Sequence, residues 1–134
     1  MLEKNFGLNP IILHEQADQG RTLIEKFEEH SENVGYVFVL LTPDDLGVDK
    51  ETFEKNRQNY VQAFSNRARQ NVILELGYFV GKLGRRRVCC LCKGNLELPS
   101  DIIGVLYKRF DKSIKEIYKD VEDELVAAGY INRK

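Results

Sequence analysis

Two short apolar runs on either side of an amphipathic stretch constrain the fold of this chain more than any other feature. Residues 36–41 and 88–92 are continuous apolar runs of strand length, and the second is read as a strand over residues 87–92. The stretch between them carries apolar residues at spacings of four, three and four, namely Val72, Leu76, Phe79 and Leu83. This periodicity predicts one core-facing helix over residues 67–84, opened by Arg67 and Arg69. A strand, a helix and a second strand in this order indicate a parallel pair.

The remaining segments extend the same alternation. Residues 10–14 read as a first strand, 36–41 as a central strand covered on both faces, and 105–107 as a short last strand. Residues 47–66 are long and polar, and they predict either a mobile loop or a short surface helix. The sequence therefore predicts one α/β domain over residues 1–134, with a parallel sheet and helices on both faces.

Capping-box spacing marks two further helices. Thr22 with Glu25, and Ser113 with Glu116, are placed to begin them. The last helix has a predicted core face and ends before Gly129. That face is formed by Ile114, Ile117, Val121 and Leu125.

Composition excludes several classes of function. Lys and Arg total 20 and Asp and Glu total 21, so the formal net charge of −1 gives no electrostatic basis for binding nucleic acid or a membrane surface. No apolar run is long enough to cross a bilayer. The cysteines lack the paired spacing of a metal site, so we predict buried free thiols, no metal, and a reducing cytoplasmic location. They are Cys89, Cys90 and Cys92.

Glu75 is the first candidate catalytic residue. A carboxylate at the edge of an apolar helix stripe is partly removed from water, which costs free energy unless the group has a binding or catalytic role. Asn71 precedes it by one turn and is placed to orient it or a ligand. Arg67 and Arg69 are candidates for holding a phosphate or a neighbouring acid.

Ligands of parallel sheets bind beyond the carboxyl ends of the strands. Thr42 and Asp44 follow the run at 36–41, and Asp101 lies in the loop after 87–92, so all three are candidates for ligand binding. Each is equally suited to capping a turn. The basic run at residues 85–87 is interpreted as a solvated turn, and Tyr78 and Phe79 as core residues.

Three motifs stand out: ILHEQ with QGRT at residues 12–16 and 19–22, VLLTPDD at 39–45, and RARQNVILELGYF at 67–79. They resemble the bacterial TIR-like nucleotide-binding domains of cyclic-nucleotide-triggered antiphage systems, including the CBASS, Pycsar and TIR–STING effectors. The resemblance covers nearly the whole chain and implies a flavodoxin-like TIR fold. Relative to that family, the chain is expected to begin inside the first helix and to lack the first strand.

The same resemblance implies NAD⁺ glycohydrolase activity that is activated by oligomerisation. The catalytic glutamate of the family maps onto Glu75, and its assembly loop maps onto a segment containing Gln16, Gln19, Gly20 and Arg21. NAD⁺ is then a substrate, and no cofactor is implied. The implied partners are further copies of the chain and a cyclic-nucleotide-sensing domain in the same or another chain.

Two other functions remain open at this point. One is an inactive TIR-like scaffold that binds a nucleotide or signals through protein contacts. The other is a nucleoside hydrolase or transferase, which would also place a carboxylate beside a ribose.

Overall fold

Three parallel strands form the centre of the molecule in a computed structural model that describes residues 1–13, 23–32, 34–102 and 104–133. The strands of this sheet are β1 (Val37–Leu41), β4 (Val88–Lys93) and β5 (Leu106–Phe110), in the order β1-β4-β5. Both pairings are parallel, with Val37 opposite Val88 and Cys89 opposite Leu106. The predicted α/β class with a parallel sheet is confirmed.

Helices cover both faces of this sheet. The helices of the described ranges are α1 (Leu2–Phe6), α2 (Leu23–Ser31), α3 (Lys50–Lys55), α4 (Gln70–Leu83) and α5 (Tyr118–Ala127), of which α3 lies at the surface. Short 3₁₀ segments span Arg57–Ala63, Arg85–Arg87, Ser100–Ile102 and Ile114–Ile117. None of the helices in the described ranges is long and apolar enough to cross a membrane.

The face of the sheet under α4 holds one half of the core. Leu76 and Phe79 of α4 are 1% and 4% exposed and pack among Val39, Leu41 and Cys90 of the strands. Phe27 of α2 lies against the same helix, with its ring centroid 5.9 Å from that of Phe79. The predicted apolar stripe of α4 is therefore confirmed, with Val72 and Leu83 only partly buried at its ends.

The opposite face of the sheet packs under α5 and α1. Ile117, Val121 and Leu125 are buried against Cys89 and Leu91 of β4. The ring of Phe6 in α1 stacks on Tyr118 at a centroid distance of 5.0 Å. The second predicted capping box is present at Ser113 and Glu116, where it opens the 3₁₀ turn that leads into α5.

Strand β4 is the buried centre of the fold. Five of its six residues, Val88 to Cys92, are buried, and all three cysteines are free thiols, as the sequence predicts. Burial raises the pKa of the Cys89 and Cys90 thiols to about 12. These thiols are therefore protonated at neutral pH and behave as small apolar side chains.

Three predictions about the strands are wrong. Residues 10–13 form no strand, because no described strand runs alongside them to pair their backbone groups, and His14 lies outside the described residues. Strand β1 pairs with β4 alone within the described part, so β4 is the central strand. The last strand is longer than residues 105–107, since it continues to Phe110 beside Lys93.

An antiparallel ribbon between β1 and α4 was not predicted. It consists of β2 (Asp45–Gly47) and β3 (Ser65–Arg67), with Asp45 opposite Arg67. The segment between them holds α3, which confirms the surface-helix interpretation of residues 47–66. Arg67 therefore ends a strand, and α4 begins three residues later than the apolar pattern suggested.

The buried stripe of α4 predicts a large difference between two leucines of the same helix. Leu76→Ala should lower the free energy of unfolding by about 2–5 kcal/mol, because it removes a side chain that is 1% exposed. Leu74→Ala, at a position that is 54% exposed, should change it by less than about 1 kcal/mol. Urea unfolding of the two variants measures both values, and equal losses would contradict this packing of α4.

Candidate functional site at the carboxyl edge of the sheet

The turn that follows β1 brings together three of the residues proposed from the sequence. The Thr42 hydroxyl donates a hydrogen bond to Asp44, and Nε of Arg69 donates to Oδ2 of the same carboxylate at 3.3 Å. Thr42 and Asp44 lie at the carboxyl end of β1, whereas Arg69 is the residue that precedes α4. The structure therefore joins the end of a strand to the start of the Glu75 helix.

The ionisation of Asp44 reflects these contacts. The Thr42 hydroxyl has the largest effect, and with the guanidinium of Arg69 it holds the pKa of the Asp44 carboxyl below its ordinary value. Lys93, the last residue of β4, lowers the pKa further through its charge. The turn therefore keeps a carboxylate ionised next to two cations.

Lys93 was missed in the sequence, because its position depends on the pairing of β1 with β4. The register places Cys92 opposite Leu41, so the next residue of each strand, Lys93 and Thr42, emerges at the same edge of the sheet. A charged residue ending a buried strand is usually solvated, and only the register shows that this one lies near Asp44.

Glu75 lies in the middle of α4 and is half-buried. An α-helix turns about 100° per residue, so Asn71 and Glu75 emerge on the same flank, about 40° apart. Asn71 is exposed in the first turn of the helix. Tyr78 follows on this flank and contacts Phe27 of α2, with ring centroids 5.8 Å apart. The Glu75 flank therefore faces the α2 side of the molecule.

Arg67 lies on the other side of the helix start. Its Nη2 donates to Oε1 of Glu97 at 2.7 Å, and both side chains are partly exposed. The pair borders a cavity of about 340 Å³. The lining residues are Arg67, Ala68, Gln70, Ile73, Glu97, Leu98 and Pro99. Arg69 and Arg67 thus each pair with a carboxylate. The two carboxylates lie apart, since Asp44 is in the turn after β1 and Glu97 is in the loop after β4.

Ile73 and Glu75 show how α4 separates this cavity from the Glu75 flank. Two residues correspond to a rotation of about 200°, so their side chains leave α4 on nearly opposite sides. Asp101 lies in the turn Ser100–Ile102, and none of the hydrogen bonds or ion pairs among the described residues joins it to Asp44. The structure therefore brings together only part of the predicted set of residues.

The predicted assembly residues Gln16, Gln19, Gly20 and Arg21 lie outside the described residues. The basic run Arg85–Arg87 forms an exposed 3₁₀ turn, as interpreted from the sequence. The described part of the chain contains no cluster of three His, Cys, Asp or Glu residues that would hold a metal ion.

The parallel sheet, its covering helices and the polar residues gathered at its carboxyl edge define an α/β domain of the TIR-like, flavodoxin-like class. Comparison with known families makes the assignment specific. Residues 1–112 match the CAP12/Pycsar effector protein TIR domain, so the chain belongs to that family.

The chain is also similar to several known proteins. The chain is 51% identical to YuaY of Escherichia coli (strain K12) over 107 residues, covering 80% of the chain and 33% of the relative. It is 31% identical to the protein tirC of Dictyostelium discoideum over 122 residues, covering 87% and 58%. It is 34% identical to the Pycsar effector protein PaPycTIR of Pseudomonas aeruginosa over 84 residues, covering 61% and 24%. The chain therefore spans from about a quarter to somewhat over half of these proteins.

The contacts of Asp44 generate a prediction about its titration. Because its folded pKa is depressed, its contribution to stability is present above the unfolded pKa and is lost as the pH falls through the folded pKa. Thr42→Val, which keeps the side-chain shape, and Arg69→Gln should each raise the carboxyl pKa toward its ordinary value. Carboxyl NMR titration of the three proteins measures both shifts, and an unchanged pKa in either variant would contradict the contact that the variant removes.

Proposed function

We propose that this chain is an NAD⁺-cleaving effector domain of antiphage defence, with Glu75 as its catalytic residue. The observation that carries the proposal is the half-buried carboxylate of Glu75 on the flank of α4, beside a buried apolar stripe. Membership of the CAP12/Pycsar effector TIR family supports it. Relatives named as a Pycsar effector and as CD-NTase-associated protein 12 support the role in defence.

The reaction breaks the bond between C1′ of the ribose and the nicotinamide nitrogen. The bonding electron pair leaves with the nitrogen, which turns a cationic pyridinium into a neutral ring, so the leaving group needs no proton. A water molecule then attacks C1′ and loses a proton, giving ADP-ribose. The demand on the protein is to stabilise the oxocarbenium-like ribose between these two events.

A half-buried carboxylate meets this demand by its charge. Glu75 lies beside Leu76, which is 1% exposed, so water screens its field less than on an open surface. Its negative charge then favours the developing positive charge on the ribose, and its oxygens are able to accept hydrogen bonds from ribose hydroxyls. Asn71, one turn earlier on the same flank, is proposed to orient the carboxylate or the substrate.

The turn after β1 supplies the second part of the proposed site. Thr42, Asp44 and Arg69 form one hydrogen-bonded group at the edge where ligands of parallel sheets bind. We propose that Arg69, which is held by Asp44, offers its remaining donors to the substrate phosphates. Asp101 stays a candidate for ligand binding from the loop after β4.

Assembly is proposed as the activating step. The predicted assembly segment contains Gln16, Gln19, Gly20 and Arg21, and further copies of the chain are the proposed partners. A cyclic-nucleotide-sensing domain, in the same or another chain, is proposed to bring the copies together. The name of the Pseudomonas relative as a Pycsar effector supports this arrangement.

Glu75→Gln tests the proposal directly, because it keeps the size of the side chain and removes its charge. We expect NAD⁺ loss by the assembled protein to fall by about 100-fold or more, as when one preorganised transition-state contact is removed. The chain is assembled by fusion to an unrelated oligomerising helix, and NAD⁺ consumption is followed by chromatography. Thermal unfolding confirms that the variant is folded.

Glu122→Gln is the matched control, since Glu122 lies on α5, on the opposite face of the sheet. It should leave NAD⁺ loss unchanged. An assembled wild-type protein that leaves NAD⁺ intact would instead favour the scaffold function. Faster cleavage of free nucleosides than of NAD⁺ would favour a nucleoside hydrolase or transferase.

A further inference from the structure

The cavity next to the Arg67–Glu97 pair lies at the carboxyl edge of the sheet but away from Glu75. Gln70 and Ile73 line it from one flank of α4, whereas Asn71 and Glu75 occupy the other flank. Its remaining walls come from the end of β3 and from the loop after β4. The proposed NAD⁺ cleavage at Glu75 does not use this space.

Contacts within the protein hold two walls of the cavity. Arg67 lies across Gly47 of the neighbouring strand, and a Cβ at Gly47 would come within 2.4 Å of its Nη1. The loop is tied to β3 by the backbone N–H of Glu97, which donates to the carbonyl of Asn66 at 2.8 Å. A preformed site loses less entropy on binding than one that must first be ordered.

The charges that border the cavity cancel. The Arg67 guanidinium and the Glu97 carboxylate form an ion pair at 2.7 Å, with side chains 38% and 47% exposed. A cationic ligand would be repelled by Arg67 and an anionic one by Glu97. A neutral ligand leaves the pair intact and is able to use a guanidinium N–H as donor and a carboxylate oxygen as acceptor.

The other lining residues favour a planar ring. Ile73 and Leu98 are partly exposed and, next to the buried Ala68, provide an apolar surface that suits the face of a heterocycle. The Gln70 amide offers a donor and an acceptor side by side, the arrangement with which Gln recognises the edge of adenine. The volume of about 340 Å³ lies near the lower end of the range of small-molecule sites, which runs from about 300 to 1,000 Å³.

From these features we infer that the cavity binds a neutral purine base or purine nucleoside, at a site separate from the Glu75 flank. The ring packs on the apolar surface, its polar edge meets Gln70, and the ion pair lies at the rim. A nucleotide would bring phosphate charge close to Glu97.

Adenosine is the probe for the first test, titrated into the uniformly ¹⁵N-labelled chain and followed by NMR. Saturable shifts of the Gln70, Ile73 and Leu98 amides are expected. Gln70→Leu should weaken binding about five-fold or more, because it removes the edge contacts, and Gln70→Glu should weaken it as well. Absence of saturable shifts up to about 10 mM adenosine would overturn the inference.

Asn71→Leu is the matched comparison, since it makes the same kind of change at the next residue but on the Glu75 flank. It should change adenosine affinity by less than about two-fold, and so should Glu75→Gln. If either of these weakens binding more than Gln70→Leu does, adenosine occupies the Glu75 flank and the inference fails. Because binding is measured without turnover, the result does not depend on whether NAD⁺ is cleaved.

A second test uses the charge at the rim. Adenosine 5′-monophosphate adds roughly two negative charges to the same nucleoside, so the wild-type protein should bind it more weakly than adenosine. Glu97→Gln removes the opposing charge and keeps the shape, and it should reverse this order. An unchanged preference in Glu97→Gln would show that Glu97 does not border the bound ligand.

Discussion

The packing of α4 across β1 and β4 is the interaction on which the rest of the structure depends. Leu76 and Phe79 fix the rotation of the helix, because both are almost fully buried against residues of the two strands. Once that stripe is fixed, every other position of α4 has a defined direction. Glu75 and Asn71 emerge on one flank, Gln70 and Ile73 on the other, and Arg69 meets the turn after β1. A single apolar stripe therefore positions two separate polar regions.

The sequence predicted the parts of the fold that depend on local periodicity. The stripe of α4, the buried cysteine strand and the Ser113 capping box are each encoded within a few consecutive residues, and each was found. The ribbon of β2 and β3 was not predicted, because its strands have three residues each and form only by pairing with each other across α3. The order of the strands could not be predicted from the sequence either, since it depends on which strands lie side by side in the folded sheet.

The candidate site, too, was predicted only in part from the sequence. That Thr42 and Asp44 follow a buried strand is visible in the sequence, and the structure places them together with Arg69. Arg67 pairs with Glu97 and not with Asp44, because it ends a strand and lies across Gly47. Its role in substrate binding stays a prediction. Nothing in the sequence marked Glu97 as a candidate site residue, since its contact is with Arg67, 30 positions away in the chain. The roles of Glu75, Asn71 and Asp101 in chemistry remain predictions.

Residues near both ends of the described chain lie on one face of the molecule. Met1 and Ile131 both pack against the cluster beneath α5, and Tyr130 lies so close to Gly35 that a Cβ there would fall 1.9 Å from the phenol oxygen. The helix α4 covers the opposite face of the sheet. An affinity tag or surface anchor attached at either end of these residues would therefore hold the domain by its α5 side and leave α4 turned toward the solution.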